Sequence, residues 1–334
     1  MYNPSEQKTR QPLDKFRFRI CQVGSNKACL FFCLLLVLLL FVFALKDLHF
    51  LKGEVTQNPG VITLTKQEEF TIIIQTFKRD DILLEVLKRC LDVPHLQKIL
   101  VVWNNVDKQP SQILRDSFGH HRTPILFLEQ KVNRIQNRLQ PFPEIHTHAV
   151  LMLDDDILLS VSDISFAFTI WKQFPDQIVG FVPRKHVETA HGAYTYQRTK
   201  LSDPHNGGGD KYSMVLIGAS FFHARYLKLY QDQPEAMHSL VDTTQNCDDI
   251  AMNFVVSMYM RTVLNDTRPS GVYIMPLDMV NLEMQARSGF KGMWLRSNHF
   301  KQRSYCLNRL AQIYGVMPLQ FSDSIKTRFT WLRK

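Results

Sequence analysis

HAVLMLDDD, residues 148–156, is the stretch on which the reading of this chain turns. Ala149–Leu153 is an unbroken apolar run, and Asp154, Asp155 and Asp156 follow it directly. A run with no polar alternation predicts a strand buried on both faces, as in a parallel sheet covered by helices. Carboxylates ending such a strand stand at the carboxyl edge of the sheet, where open α/β sheets bind ligands. Three adjacent carboxylates repel one another and are most comfortable beside a cation. Hard oxygen donors suit Mg²⁺ or Mn²⁺, ions that keep water ligands and bind substrate phosphates rather than closed protein cages. The stretch therefore predicts a metal–diphosphate site, against the plainer alternative of an acidic surface turn.

The same alternation extends in both directions. FTIIIQT (70–76), KILVVWN (98–104) and PILFLE (124–129) read as strands, with helical spacing at Ile82, Leu83, Val86 and Leu87 between the first two. After the acidic strand come a helix over about 163–174 and a strand QIVGFV at 177–182. YSMVLIG (212–218) and GVYIMP (271–276) read as further strands. DDIAMNFVVSMYM (248–260) and SYCLNRLAQIYG (304–315) read as helices, the second stopped by Gly315. Strands alternating with helices predict an α/β domain around a mostly parallel sheet. There are no internal repeats, and SDPHNGGGDK (202–211) reads either as a plain loop or as a lid that orders on ligand binding.

With 45% apolar and 21% charged residues in 334, the chain is neither largely disordered, collagen-like nor coiled coil. The net charge of +9 is concentrated at the start: residues 1–52 hold 8 Lys/Arg against 3 Asp/Glu, the remainder 32 against 28. The body has no basic run interleaved with aromatics, which argues against a nucleic-acid partner. Residues 28–45, ACLFFCLLLVLLLFVFAL, carry no charge and as a helix would span about 27 Å, enough for a thin bilayer. Basic residues upstream (Lys8, Arg10, Lys15, Arg17, Arg19, Lys27) orient this anchor with its N-terminus cytosolic. The expected organisation is a cytosolic tail (1–27), a signal anchor (28–45), a polar stem (46–68) and a lumenal domain (69–334). A cleaved signal peptide would have a shorter apolar core and a small-residue cleavage site, and none is evident.

In the lumen, Cys90, Cys247 and Cys306 allow one disulfide and one free thiol. Cys90 falls in the helical segment DDILLEVLKRCL, where a buried thiol is ordinary, which favours a Cys247–Cys306 bridge. Asn265-Asp266-Thr267 is a glycosylation sequon beside the turn-like RPSG.

Five segments in order, TIIIQTFKRDD (71–81), KILVVWNN (98–105), VLMLDDDI (150–157), NCDDIAMNF (246–254) and WLRSNHF (294–300), resemble the C-terminal glycosyltransferase domain of the exostosins, which build heparan sulfate. The resemblance covers roughly residues 65–330; the N-terminal domain of full-length exostosins has no counterpart here. It implies a GT-A-type nucleotide-diphospho-sugar transferase fold, Mn²⁺, and a UDP donor carrying N-acetylglucosamine or N-acetylgalactosamine. It further implies α1,4 transfer with retention to a terminal glucuronic acid of a glycosaminoglycan or its linkage region. The implied setting is the endoplasmic reticulum or Golgi membrane, single-pass type II, as a homodimer or in a complex with other exostosin-type transferases. Stem cleavage would release a soluble secreted form.

The resemblance also nominates residues. Gln75, Arg79, Asn104, Asn133 and Arg138 would hold the uridine, ribose and diphosphate, with Arg134 a further candidate for the phosphates. Asp154 would hold the ribose or donor sugar, Asp155 the donor sugar, and Asp156 the metal. Asp248 and Asp249 start a helix, where one carboxylate can serve as N-cap. With Asp248 the candidate cap and a further catalytic candidate, Asp249 is then the expected catalytic carboxylate, as a base for the acceptor hydroxyl or a stabiliser of an oxocarbenium-like transition state. Arg296 would hold the leaving diphosphate. His299 is expected to be structural. Two other readings compete: a glycoside hydrolase using paired carboxylates, and a non-catalytic glycan-binding or scaffolding subunit.

Overall fold

The computed structural model describes residues 68–119, 121–199, 201, 210–282 and 298–328. The cytosolic tail, the predicted anchor, the stem through residue 67, the Gly-rich segment 206–209 and Arg296 lie outside the described residues. No helix among the described residues is long and apolar enough to cross a membrane.

The continuous apolar runs form strands, as predicted. The first half runs β1 (Phe70–Thr76), α1 (Asp80–Cys90), β2 (Leu96–Trp103), α2 (Gln112–Asp116) and β3 (Ile125–Glu129). A 3₁₀ turn (Ile135–Leu139), β4 (Ala149–Asp154), β5 (Ile157–Leu159) and α3 (Val161–Gln173) follow. The second half runs β6 (Ile178–Gly180), β7 (Pro183–Glu188), β8 (Tyr194–Arg198), β9 (Met214–Val215) and β10 (Ala219–His223). Then come α4 (Arg225–Gln231), α5 (Glu235–Thr244), α6 (Asp248–Thr262), β11 (Gly271–Ile274), β12 (Met279–Asn281), α7 (His299–Tyr314) and β13 (Ile325–Lys326).

An eight-stranded sheet is ordered β13-β11-β6-β10-β4-β1-β2-β3. Within it only β10 is antiparallel to its neighbours. The chain builds outward from β1 through β2 to β3, then returns to lay β4 on the other side of β1. That reversal opens a crevice at the carboxyl ends of β1 and β4, where Gln75 is in register with Asp154.

Both faces of the sheet are covered. Ile72 and Ile74 of β1 pack with Leu83 and Val86 of α1 and Ile164 and Phe168 of α3. Ile73, between them, points to the opposite core with Met237 of α5, Phe254 of α6 and Leu307 of α7. This two-sided burial is why the strands read as unbroken apolar runs. Ser160 starts α3 by accepting a hydrogen bond from Asp163 N at 3.0 Å, and Gly315, at φ 71°, ends α7.

Three sequence expectations change. The acidic strand stops at Asp154, leaving Asp155 and Asp156 in the turn before β5. The final helix begins at His299, five residues before the predicted start. Of the strand expected at 212–218, only Met214 and Val215 are strand. These two residues pair with β7, and the Asn253 side chain of α6 holds Val215 as well, accepting from its N at 3.2 Å and donating to its O at 2.8 Å.

The Cys247–Cys306 bridge is present, and Cys90 is a buried free thiol whose pKa burial raises to about 12. The bridge ties the start of α6 to the second turn of α7, and the two cysteines are 59 positions apart. A loop of that length corresponds to about 4 kcal/mol of lost unfolded-state entropy. Replacing both cysteines by serine is expected to lower the free energy of unfolding by that amount, measured by chemical denaturation.

Candidate active site

The carboxyl ends of β1 and β4, the 3₁₀ turn, the start of α6 and the first turns of α7 surround a cavity of about 980 Å³. Gln75, Arg79, Asn104, Asn133, Arg138, Asp154, Asp155, Asp156, Asp248 and Asp249 all line it. These residues span more than 170 positions of sequence, and only the fold brings them to one wall-to-wall site.

Ionic contacts organise the cavity. Arg138, buried in its wall, donates from Nη1 to Asp154 Oδ1 at 2.5 Å and from Nη2 to Asp248 Oδ2 at 2.6 Å. Its Nε gives Asp248 Oδ2 a second hydrogen bond at 3.0 Å. Its backbone N–H donates to Gln75 Oε1 at 3.0 Å, so Gln75 fixes the 3₁₀ turn that carries the arginine. Burial opposes the guanidinium charge, but the two carboxylates outweigh it and hold Arg138 protonated.

Asp155 is clamped by the Thr76 hydroxyl at 2.7 Å and Arg79 Nη1 at 2.9 Å, and the same Arg79 nitrogen lies 3.4 Å from Asp156 Oδ2. Burial nevertheless raises the Asp155 pKa. At the start of α6 the adjacent carboxylates diverge. Burial raises the Asp248 pKa beyond what Arg138 offsets, and the neighbouring Asp249 adds to the rise. Burial pushes Asp249 the same way, but Arg303 overcomes it and holds this carboxyl below the usual range. Two neighbouring acids whose environments separate their pKa values are the usual sign of divided roles.

Some expectations need correcting. Neither aspartate caps α6: the N-cap is Cys247, in the left-handed region at φ 70°, with no side-chain cap bond. Asp249 Oδ1 instead accepts from Ile250 N at 2.7 Å. KVNRIQNRL (131–139) is a loop and 3₁₀ turn that bury Arg138. Arg134 is absent from the cavity lining, and its guanidinium lies 3.7 Å from Asp242. Asn104 lines the cavity, yet its amide is committed to Asn133 Oδ1 at 3.0 Å and Arg134 O at 3.1 Å. Its carbonyl accepts from Asn137 at 2.8 Å. Asn104 therefore fastens the loop that presents Asn133. His299 joins the lining at the start of α7.

Sequence reasoning missed Arg303, Tyr196, Arg184 and Arg198, which also line the cavity. The helical spacing of Arg303 and Cys306 was the available signal, since residues three apart share a face. The β7–β8 hairpin carrying the other three has no apolar run to mark it. Gly218 was also missed. Its carbonyl accepts from Asp154 N at 2.7 Å, and a Cβ there would collide with Asp154 Oδ2.

The oxygen donors that line the cavity are of the kind a divalent ion takes. The acidic groups are hard carboxylate oxygens. Among the described residues no three His, Cys, Asp or Glu side chains converge into a cage, so an ion here would complete its shell with ligand oxygens and water. Arg79 and Arg138 place two cations against the same floor.

Residues 70–331 match the family described as the glycosyl transferase family 64 domain. Exostosin-like 2 from Mus musculus is 52% identical over 262 residues, covering 78% of this chain and 77% of the relative. Exostosin-like 2 from Homo sapiens is 51% identical over the same length, covering 78% of each. Exostosin-2 from Mus musculus is 34% identical over 268 residues, covering 79% of this chain but 35% of that longer protein. The chain belongs to glycosyl transferase family 64, as its resemblance to the exostosins implied.

Gly218→Ala is expected to displace Asp154 from Arg138. A uridine nucleotide should then bind at least about tenfold more weakly by calorimetry, with the far-ultraviolet circular dichroism unchanged.

Proposed function

We propose that this protein is a GT-A-type, retaining N-acetylhexosaminyltransferase. It moves N-acetylglucosamine or N-acetylgalactosamine from UDP in α1,4 linkage to a terminal glucuronic acid of the glycosaminoglycan linkage region or a heparan sulfate precursor. The observation that carries this reading is the single cavity in which three carboxylates at the end of β4 face two carboxylates at the start of α6, with arginines between them. Glycoside hydrolysis needs paired carboxylates but no such cationic floor. Family membership supports a sugar transferase; the donor, linkage and acceptor follow from the exostosin resemblance.

The residues divide the work. Gln75, Asn104 and Asn133 shape the uridine end of the cavity. Asp154 and Asp155, each oriented by an arginine, present acceptors to ribose and donor-sugar hydroxyls. Asp156 would hold Mn²⁺, which supplies charge neutralisation of the diphosphate when bound. Arg79 and Arg138 add fixed positive charge, and Arg296, outside the described residues, completes the leaving-group site in this reading. Asp249, held ionised, stabilises positive charge developing at the anomeric carbon or receives the acceptor proton.

The proposal extends to the setting: a type II membrane protein of the endoplasmic reticulum or Golgi, anchored by residues 28–45, alone as a homodimer or with other exostosin-type transferases. Asn265 would carry N-glycan; it is exposed, at φ 52° in the turn after α6.

The deciding experiment incubates the full chain in detergent with Mn²⁺, a glucuronate-terminated linkage oligosaccharide and either UDP-sugar, and reads the product by mass spectrometry. Addition of one hexosamine, lost with chelator, is expected, and the donor ratio identifies the sugar. Absence of both UDP binding and transfer would favour a scaffolding subunit. Asp156→Ala is expected to abolish Mn²⁺-dependent UDP binding in calorimetry; unchanged binding would remove its metal role. Asp249→Asn should bind UDP normally yet lose about 10²-fold or more in turnover; near-normal turnover would end its catalytic assignment.

A further inference from the structure

Arg303 takes no part in the chemistry assigned to the cavity, yet it is among the most constrained side chains in the molecule. It projects from α7 and is 5% exposed. One terminal nitrogen, Nη2, donates to Asp249 Oδ2. The other, Nη1, donates to Asn246 Oδ1 at 3.0 Å. Its guanidinium lies 4.6 Å from the centre of the Tyr196 ring, which covers it from β8. Three positions along the same helix face, Cys306 is bonded to Cys247, the residue just before Asp248 and Asp249. The arginine and the two aspartates are thus fastened on both sides of one covalent link.

Stability does not account for this arrangement. Buried ion pairs seldom repay their desolvation, and Arg303 Nε is buried with no hydrogen-bond acceptor among the described residues. What the arrangement does is constrain Asp249. Of that carboxylate's two oxygens, Oδ1 takes the Ile250 N–H at 2.7 Å and Oδ2 takes Arg303.

We propose that Arg303 is a positioning residue for Asp249, fixing the carboxylate's orientation at the cavity wall and keeping it negatively charged for the reaction. The proposal rests on the reading of Asp249 as the reacting carboxylate. The charged and titratable groups facing Asp249 are Arg303 from α7, Arg138 from the 3₁₀ turn, Tyr196 from β8 and Asp248 beside it on α6. Arg138 is already shared between Asp154 and Asp248. Without Arg303, Asp249 would keep one backbone hydrogen bond, its burial and a like-charged neighbour, conditions that favour taking up a proton.

The test labels aspartate carboxyl carbons with ¹³C in the full chain in detergent, assigns Asp249 by difference with Asp249→Asn, and follows its titration. Arg303→Met is expected to raise the Asp249 midpoint by about one unit or more. Arg303→Lys should keep it low. In transfer assays Arg303→Met should lose about tenfold or more in kcat at pH 6, recovering as pH rises, with donor KM within about twofold of wild type. Arg303→Lys should recover most of that kcat. An unchanged midpoint in Arg303→Met would overturn the proposal. So would a loss carried by KM with kcat intact, which would make Arg303 a substrate-binding residue. UDP affinity certifies the folded site. Should Arg303→Met fail that check, Arg303→Gln carries the same expected rise in midpoint, and its absence is equally decisive. The titration is read without substrate, so a wild-type protein that transfers nothing would count against the proposed function alone.

Discussion

The buried guanidinium of Arg138 joins the two halves of this protein. One side of it meets Asp154 at the end of β4, the other meets Asp248 at the start of α6. Those carboxylates come from the sheet's central strand and from a helix nearly a hundred residues later. Asp248 is buried while Asp154 is partly exposed, and without the cation the burial of Asp248 would carry a desolvation penalty with little to offset it. The same arginine takes its backbone position from Gln75 at the end of β1. The contact therefore closes the crevice that the strand reversal opens, and everything else in the cavity is arranged around it.

Charge then alternates across the site: Asp155 with Arg79, Asp154 and Asp248 with Arg138, Asp249 with Arg303. The alternation explains how so many carboxylates share one buried wall. It leaves them unequal, because Asp248 shares a cation while Asp249 has its own. The left-handed Cys247 serves the same end. A helix started by a disulfide-bonded residue rather than by an aspartate cap leaves both aspartate side chains available to the cavity.

The strands were legible because their surroundings are uniform. β1, β2 and β4 are buried on both faces, so the sequence shows an unbroken apolar run whatever packs on it. The β7–β8 hairpin was silent for the opposite reason. Its residues alternate between an aromatic, cationic cavity face and solvent, and PRKHVE and YTYQR resemble surface loop. The strand read at 212–218 was apolar for a real cause, burial, but only Met214 and Val215 join a ladder, with β7, and the Asn253 side chain bonds Val215 besides. Apolar composition reports burial and not hydrogen-bonding geometry.

By itself the sequence determined the α/β alternation, the acidic strand end, the pairing of Cys247 with Cys306 and the family, and it nominated ten of the residues that line the cavity. These are properties of local runs and ordered motifs, which survive without knowledge of what lies opposite. The tertiary structure alone decided that Arg138 serves Asp248 as well as Asp154, that Arg134 turns to Asp242, and that Arg303 belongs to Asp249. Ion pairs between residues 54 to 110 positions apart depend on which strand and helix ends converge, and no spacing along the chain encodes that convergence.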